Sequence, residues 1–378
     1  MSVFFKRLIM NLLYLLSYLS LRDKKTWVFG SYGNFNDNSR YLFLSIIQQS
    51  EIKAIWIAKN KKELDEVKKY HDQCYLRYSL KGIYYSLRAK VYIYSAYVSD
   101  INYFTSGNAI CINLWHGIPL KKIEFDIKRG DIAHIFNKSF KSRFLHPWVY
   151  RKPDLVLSPS QFVADYSFKK AFEVKESQII LNTYPRVLAL MEMQEKFVKS
   201  DNQFTFFYAP TWRDSNPDFL TNEFLNLEII ENFCIENNAK FLIKLHSNSK
   251  FKIDSGKFNY VQILDNSVDS NQAMVMSDCL ITDYSSIYFD YLVLNKPILF
   301  YRFDEDEYKT ESREFYNEIY KYIPGLISKN INGLLNDMKC VLNDKDKVIM
   351  ESGELKNLLG IKVVNGNDYL IKKIGLIG

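Results

Sequence analysis

Two histidines in this chain close apolar runs in polar company. His116 stands in Leu114-Trp115-His116-Gly117-Ile118-Pro119-Leu120-Lys121-Lys122, directly after the apolar run 109–114, which has the length and composition of a buried strand. A strand that delivers a histidine into a glycine turn presents imidazole at the carboxyl edge of a sheet, where it can act as a general base. Gly117 admits close backbone approach and Pro119 stiffens the turn. The pattern fits a structural histidine in a strand-to-helix turn equally well. His246 ends a comparable run in Lys244-Leu245-His246-Ser247. The remaining histidines, His71, His134 and His146, lack such a setting and read as surface or packing residues.

Two further strand ends carry chemistry. One is Ala209-Pro210-Thr211-Trp212-Arg213, and the other is Thr282-Asp283-Tyr284-Ser285-Ser286, which leads into a helix. In a parallel sheet these ends and the His246 end share one edge and converge in space. Ser285 and Ser286 at a helix start offer hydroxyls, backbone N–H groups and the positive end of a helix dipole to a phosphate. Asp283 fits an N-cap, and Asp290 either reaches a ligand hydroxyl or stabilises the helix. Arg213 and Lys244 are expected to add fixed positive charge facing a pyrophosphate. The acidic cluster nearest a strand end that could suggest a metal motif is Asp304-Glu305-Asp306-Glu307, and it reads as a solvated acidic turn. Neither a Gly-x-Ser-x-Gly elbow nor a P-loop is present.

The elements that must hold these residues alternate between strand and helix. The first set includes strands at 27–29, 54–58, 91–94, 109–114, 155–157 and 179–181, with helices near 39–49, 61–70, 80–89 and 160–170. A polar stretch from Tyr184-Pro185-Arg186 to Asn202 reads as a crossing. A second set follows, with strands at 204–209, 241–245, 260–264, 279–282 and 298–300 and helices near 219–237, 270–277 and 285–294. Alternation of this kind implies two α/β domains with parallel sheets, here 23–200 and 201–378, facing a cleft. The glycine turn Gly30-Ser31-Tyr32-Gly33 resembles part of a dinucleotide fingerprint but lacks its third glycine.

With 378 residues, two domains are the natural expectation. A net charge of +7 suits anionic substrates or an anionic membrane face, and it lacks the dense Lys/Arg clusters of a nucleic-acid binder. Five scattered cysteines, with no Cys-x-x-Cys, point to reduced thiols rather than a zinc site. In residues 1–22, Phe5, Leu8, Leu12, Leu15, Leu16 and Leu19 make one apolar helical face, flanked by Lys6, Arg7, Arg22, Lys24 and Lys25. The run is shorter than the ~20 residues a spanning helix needs and has no cleavage site. It reads as a helix in the membrane interface, the alternative being a helix docked on the protein's own core. Residues 121–151 are rich in Lys, Arg and aromatics, which suits lipid headgroups, an anionic polymer or a solvated loop.

Six blocks in order resemble the CDP-glycerol glycerophosphotransferase family of teichoic-acid polymerases and primases. They are 114–122, Tyr184-Pro185-Arg186, 209–213, Lys244-Leu245-His246, 282–290 and the stretch 303–325, and together they span more than half the chain. The resemblance implies a two-domain GT-B fold, peripheral attachment to the cytoplasmic face of the cell membrane, and metal-independent transfer of a polyol phosphate from a CDP-linked donor. It places His116, Gly117, Ile118, Pro119, Leu120, Arg186, Pro210, Thr211, Lys244, Leu245, His246, Ser285, Ser286 and Asp290 at the donor site. His116 and His246 become the catalytic pair, and Arg313 a further phosphate contact. The implied reaction moves glycerol phosphate from CDP-glycerol to a hydroxyl of a lipid-linked glycan or polymer and releases CMP, with no cofactor. Lys stands before the second motif histidine where some members have Arg, replacing a forked phosphate contact by a point charge. A CDP-ribitol transferase, a nucleotide-sugar glycosyltransferase and a non-catalytic membrane scaffold remain the alternatives.

Overall fold

In the computed structural model, residues 2–48, 51–211, 213, 224–245, 257–265, 268–311, 314–346, 353–359 and 365–376 are described. They form two compact units. The first comprises Met1–His116, Lys122–Leu188 and Lys362–Gly378, and the second Gly117–Lys121 and Ala189–Ile361.

The first unit is built on β1 (Asp23–Phe29), β2 (Lys53–Ala58), β3 (Cys74–Leu76), β4 (Ala89–Tyr94), β5 (Ile110–Asn113), β6 (Leu155–Ser158) and β7 (Ile179–Leu181). They pair in parallel in the order β3-β2-β1-β4-β5-β6-β7. Helices cover both faces of such a sheet, so its strands bury consecutive side chains rather than alternate ones. Val28, Ile55, Ile57, Tyr92 and Cys111 are accordingly buried in one cluster. The strand order reverses between β1 and β4, and the carboxyl ends of the strands at such a reversal are where open α/β sheets bind ligands.

The second unit repeats the plan with β8 (Phe204–Tyr208), β9 (Ala239–Ile243), β10 (Val261–Ile263), β11 (Cys279–Thr282), β12 (Ile298–Tyr301) and β13 (Leu326–Ser328). Their order, β10-β9-β8-β11-β12-β13, reverses between β8 and β11. Its core gathers Phe206, Tyr208, Ile230, Phe241, Ile281, Leu299 and Met338.

Several elements depart from the sequence expectation. Pro185–Lys196, expected as a polar crossing, is a helix in which Val187 and Leu190 are the buried anchors. The strands β3 and β13, three residues each, are additions to the expected set. The helix expected at 285–294 divides into Ile287–Tyr291 and a 3₁₀ turn, Leu292–Leu294, ended by Asn295 in the left-handed region at φ 52°. Residues 365–376, expected with the second domain, group with the first unit, where Asn367 Nδ2 donates to Ser45 Oγ at 2.7 Å.

Helix α1 (Val3–Leu16) packs one side on the first unit. Tyr14 stacks on Tyr103 with ring centres 4.6 Å apart, Tyr103 Oη donates to Asn11 Oδ1 at 3.1 Å, and Arg7 lies over Trp148. The expected apolar stripe of Phe5, Leu8, Leu12, Leu15, Leu16 and Leu19 is the other side, and all six residues are exposed. Among the described residues no helix is long and apolar enough to cross a membrane. Within 121–151, Phe125, Phe136 and Val149 form a small core, while Phe144 meets Phe4 of α1 at 5.1 Å.

Arg22, expected to face the leaflet, is instead a strut. Its guanidinium donates to the carbonyls of Ser86 at 2.8 Å, Ala89 at 2.9 Å and Thr105 at 2.6 Å, and also to that of Gly107. Replacing it by Met deprives four acceptors of one charged donor. Arg22→Met should therefore cost about 2–4 kcal/mol and speed amide exchange in the 103–107 turn. An unchanged melting midpoint with unchanged exchange would show that water replaces the guanidinium.

Candidate active site

At the carboxyl edge of the first sheet, β5 runs into the exposed ring of His116. His116 Nδ1 lies 3.0 Å from the Ser95 carbonyl oxygen, just beyond β4. A carbonyl can only accept, so Nδ1 carries the proton and the lone pair resides on Nε2. Arg186 donates to the His116 carbonyl at 2.8 Å and pairs with Asp37 at 2.9 Å, which places this family-motif arginine beside the histidine.

The Ser95 loop is itself anchored by a buried carboxylate. Asp100 Oδ2 accepts from Ala96 N at 2.9 Å and Tyr97 N at 3.3 Å, and Oδ1 lies 4.0 Å from Lys59 Nζ. Lys59 Nζ in turn donates to the carbonyls of Ser31, Tyr32 and Gly33. The glycine turn after β1, weak as a fingerprint, is thus held to the loop after β4 across the point where strand order reverses. Burial pushes the Asp100 carboxyl up to about 6, against Lys59 and the two N–H donors.

In the second unit the corresponding edge is closed by Asp283, fully buried after β11. It accepts from Thr211 N at 2.9 Å and from Thr211 Oγ1 at 2.6 Å, joining the ends of β8 and β11. The helix expected to be capped by Asp283 begins instead at Ser286, whose side chain makes no capping bond. Arg213, expected to point its charge at a ligand, is only 5% exposed. Its guanidinium grips both oxygens of Asp304 at 2.7 and 3.0 Å and lies 2.9 Å from Asp283. Burial works against that charge, and Asp283 with Asp304 outweigh it, so its pKa is raised. Tyr284 and Tyr308 stack beside it at 3.9 Å. The acidic run at 304–307 is therefore partly structural: Asp304 holds Arg213, and Glu305 binds Lys309 at 2.9 Å and Lys329 at 3.2 Å.

The other expected positions are distributed as follows. Pro210 is buried at the end of β8, and Ser285 and Ser286 are half-buried beyond β11, with Asp290 buried one turn on. Lys244 and Leu245 leave β9 half-buried, and Lys244 Nζ donates to the Val268 carbonyl at 2.7 Å. Burial lowers the Lys244 pKa, with Asp269 and Asp265 opposing. Gly117, Ile118, Pro119 and Leu120 belong to the second unit, where Tyr316 N donates to the Leu120 carbonyl at 3.0 Å and Lys121 pairs with Phe315. His246 and Arg313 lie outside the described residues. Sequence reasoning missed Asp37, Asn38 and Ser95. An Asn-Asp-Asn-Ser stretch before a helix signals only a cap, and their partners are distant in the chain.

The chain matches the family described as CDP-glycerol:poly(glycerophosphate) glycerophosphotransferase over residues 12–356. It is 27% identical over 320 residues to a teichoic acid glycerol-phosphate transferase of Staphylococcus aureus, covering 81% of this chain and 80% of that one. With a teichoic acid poly(glycerol phosphate) polymerase of Bacillus spizizenii it shares 28% over 346 residues, 86% and 85% of the two chains. A teichoic acid ribitol-phosphate polymerase of S. aureus is also 28% identical, over 63% of this chain and 43% of that one. The wall teichoic acid polymerase TagF superposes with a TM-score of 0.75 and 25% identity, covering 99% of this chain and 96% of that one. A histidine-to-asparagine variant of TagF soaked with CDPG gives 0.74 at 25% identity, covering 99% and 95%. The UDP-GlcNAc 2-epimerase of Neisseria meningitidis shares the fold, with a TM-score of 0.58 at 13% identity over 93% and 99% of the two chains. The architecture is GT-B-like, as the sequence motifs implied.

The raised Asp100 carboxyl sets a pH dependence with a definite sign. Below the ordinary value of 3.8 both folded and unfolded chains hold the proton, and between there and about 6 the folded chain holds it more tightly. This group's contribution to stability is therefore full in acid and is lost as pH rises through about 6. Asp100→Asn, which cannot ionise, should gain on the wild type between about pH 4 and about pH 7 in parallel denaturant titrations. A stability difference that stays flat or reverses over that window would disprove the assignment.

Proposed function

The chain belongs to the CDP-glycerol:poly(glycerophosphate) glycerophosphotransferase family, and from that footing we propose that it moves glycerol phosphate from CDP-glycerol to a hydroxyl of a membrane-linked glycan or teichoic or capsular polymer, releasing CMP. The observation that carries the reading is His116, an exposed imidazole at a strand end whose Nδ1 is committed to the Ser95 carbonyl. Its Nε2 accepts the proton of the acceptor hydroxyl as that oxygen bonds to the β-phosphorus, and the bond from the β-phosphorus to the bridging oxygen breaks. CMP leaves with the bridging oxygen. A neutral imidazole suits this role, since a general base must bring an unprotonated ring nitrogen to the hydroxyl.

The donor side of the reading rests on the family motifs. Lys244, His246, Arg313 and the Ser285–Ser286 turn take the pyrophosphate, while Gly117, Ile118, Pro119, Leu120, Pro210, Leu245 and Asp290 line the donor. Charge and backbone dipoles neutralise the leaving group. Arg213 serves this site through Thr211 and Asp283 rather than by touching phosphate, because its charge is consumed by two carboxylates. CDP-ribitol is the second donor to test, because a ribitol-phosphate polymerase reaches the same 28% identity as a glycerol-phosphate polymerase, though over 63% of this chain against 86%.

Attachment to the cytoplasmic membrane face is the companion proposal. The exposed stripe of α1 is flanked by exposed Lys6, Lys24 and Lys25, the composition of a helix lying in an anionic interface.

Purified chain given CDP-glycerol, CDP-ribitol and UDP-sugars with lipid-linked acceptors should release CMP fastest from CDP-glycerol. His116→Ala should abolish release while CDP-glycerol still binds, by about the 10²–10⁴-fold a general base supplies. Faster release from CDP-ribitol would reassign the donor, and release of UDP alone would overturn the reading. Leu12→Glu with Leu16→Glu should shift the protein from vesicles containing anionic lipid to the supernatant, and undiminished vesicle binding would place attachment elsewhere.

A further inference from the structure

The backbone that carries His116 is strained and held by several side chains between 114 and 116. Trp115, a bulky residue, sits in the left-handed region at φ 51°, a conformation that persists only where its surroundings over-determine it. Its N–H donates to Asn113 Oδ1 at 2.8 Å, and the His116 carbonyl accepts from Arg186 at 2.8 Å. The indole is wedged against the His116 ring at 4.1 Å and Phe172 at 5.0 Å. Phe172 follows a helix in which Ala164–Phe168 form a π turn.

The Leu114 and Trp115 carbonyls meet one side chain. Asn38 lies in the first turn of α2 (Asp37–Ile46), and it is fully buried. Its Nδ2 donates to the Trp115 carbonyl at 2.8 Å and, at a longer 3.4 Å, to that of Leu114. Its Oδ1 accepts from Arg186 N at 3.2 Å. The amide orientation follows from its partners, since a flipped amide would face oxygen with oxygen and N–H with N–H.

We propose that Asn38 is a positioning residue for His116: by pinning the left-handed Trp115 peptide it keeps Nδ1 on the Ser95 carbonyl and Nε2 toward the acceptor hydroxyl. The inference rests on His116 being the base. Without the Nδ2 donor the Trp115 peptide can relax toward ordinary φ, which turns the ring away from Ser95 and mixes its tautomers.

The test uses the full chain, CDP-glycerol and a lipid-linked glycerol-phosphate acceptor, with histidine ¹⁵N spectra in which the His116→Gln variant assigns the signal. Asn38→Ala should lower kcat about 10- to 100-fold with KM for CDP-glycerol little changed, and should convert His116 from one neutral tautomer to a mixture. Asn38→Asp is isosteric but sets a carboxylate against two carbonyls, so it should be worse than Asn38→Ala. Burial favours its protonated form, which can donate in the amide's place, so its deficit should shrink as pH falls from about 8.5 to about 6.5. A purely space-filling role predicts the opposite order, with Asp better than Ala and no pH trend. Wild-type kcat in Asn38→Ala, or an unchanged His116 tautomer, overturns the proposal. Retained activity in His116→Ala would instead overturn the base reading, and the tautomer measurement would still decide whether Asn38 holds the ring. Should Asn38→Asp fail to fold, Asn38→Ala carries the test through kcat and the spectrum.

Discussion

Each sheet of this protein reverses its strand order once, and at each reversal a buried carboxylate ties neighbouring strand ends together. Parallel strands deliver all their carboxyl ends to one edge, where the loops diverge and would otherwise leave backbone N–H groups without acceptors. Asp100 supplies acceptors to Ala96 and Tyr97 beside β4, and Lys59 links it to the three carbonyls after β1. Asp283 does the same for Thr211 after β8, with Arg213 offsetting its charge. Breaking either pair by removing one partner would strand a charge in low dielectric, the expensive direction for a buried ion pair.

That arrangement explains how an exposed histidine at the sheet edge can be kept in one orientation. The ring of His116 is open to solvent, yet its position is set by groups that are not: the Ser95 carbonyl, held by Asp100, and the peptide at Trp115, held by Asn38 and Asn113. Rigidity is borrowed from the buried edge, and reactivity is left at the surface. Arg186 also binds at this point, so a residue that motif likeness places at the donor has a structural attachment to the histidine as well.

Helix α1 shows a different division of labour on one element. Asn11, Tyr14 and Arg7 commit one side to the first unit, while the leucine stripe that gives the helix its periodicity faces outward. A helix need not choose between docking on its own protein and offering an apolar face when its two sides carry different residues. Arg22, basic and near that stripe in sequence, is withdrawn from the surface by four carbonyls.

Hydrophobic runs and their spacing were enough to place most strands, the repeated α/β plan and the strand-end location of His116, because burial on both faces of a parallel sheet writes itself as a continuous apolar run. The motif blocks likewise carried the family. The partners of charged and amide side chains were beyond reach. Arg213 meets Asp304 91 residues away, and Asn38 meets Trp115 77 residues away, distances over which local pattern holds no information. The left-handed Trp115 was hidden for a related reason: packing selects it against local preference. Sequence alone determined which residues reach the sheet edges. Only the tertiary structure decided which of those charges are spent on holding the edge and which remain for chemistry, because that depends on what the fold brings within hydrogen-bond distance.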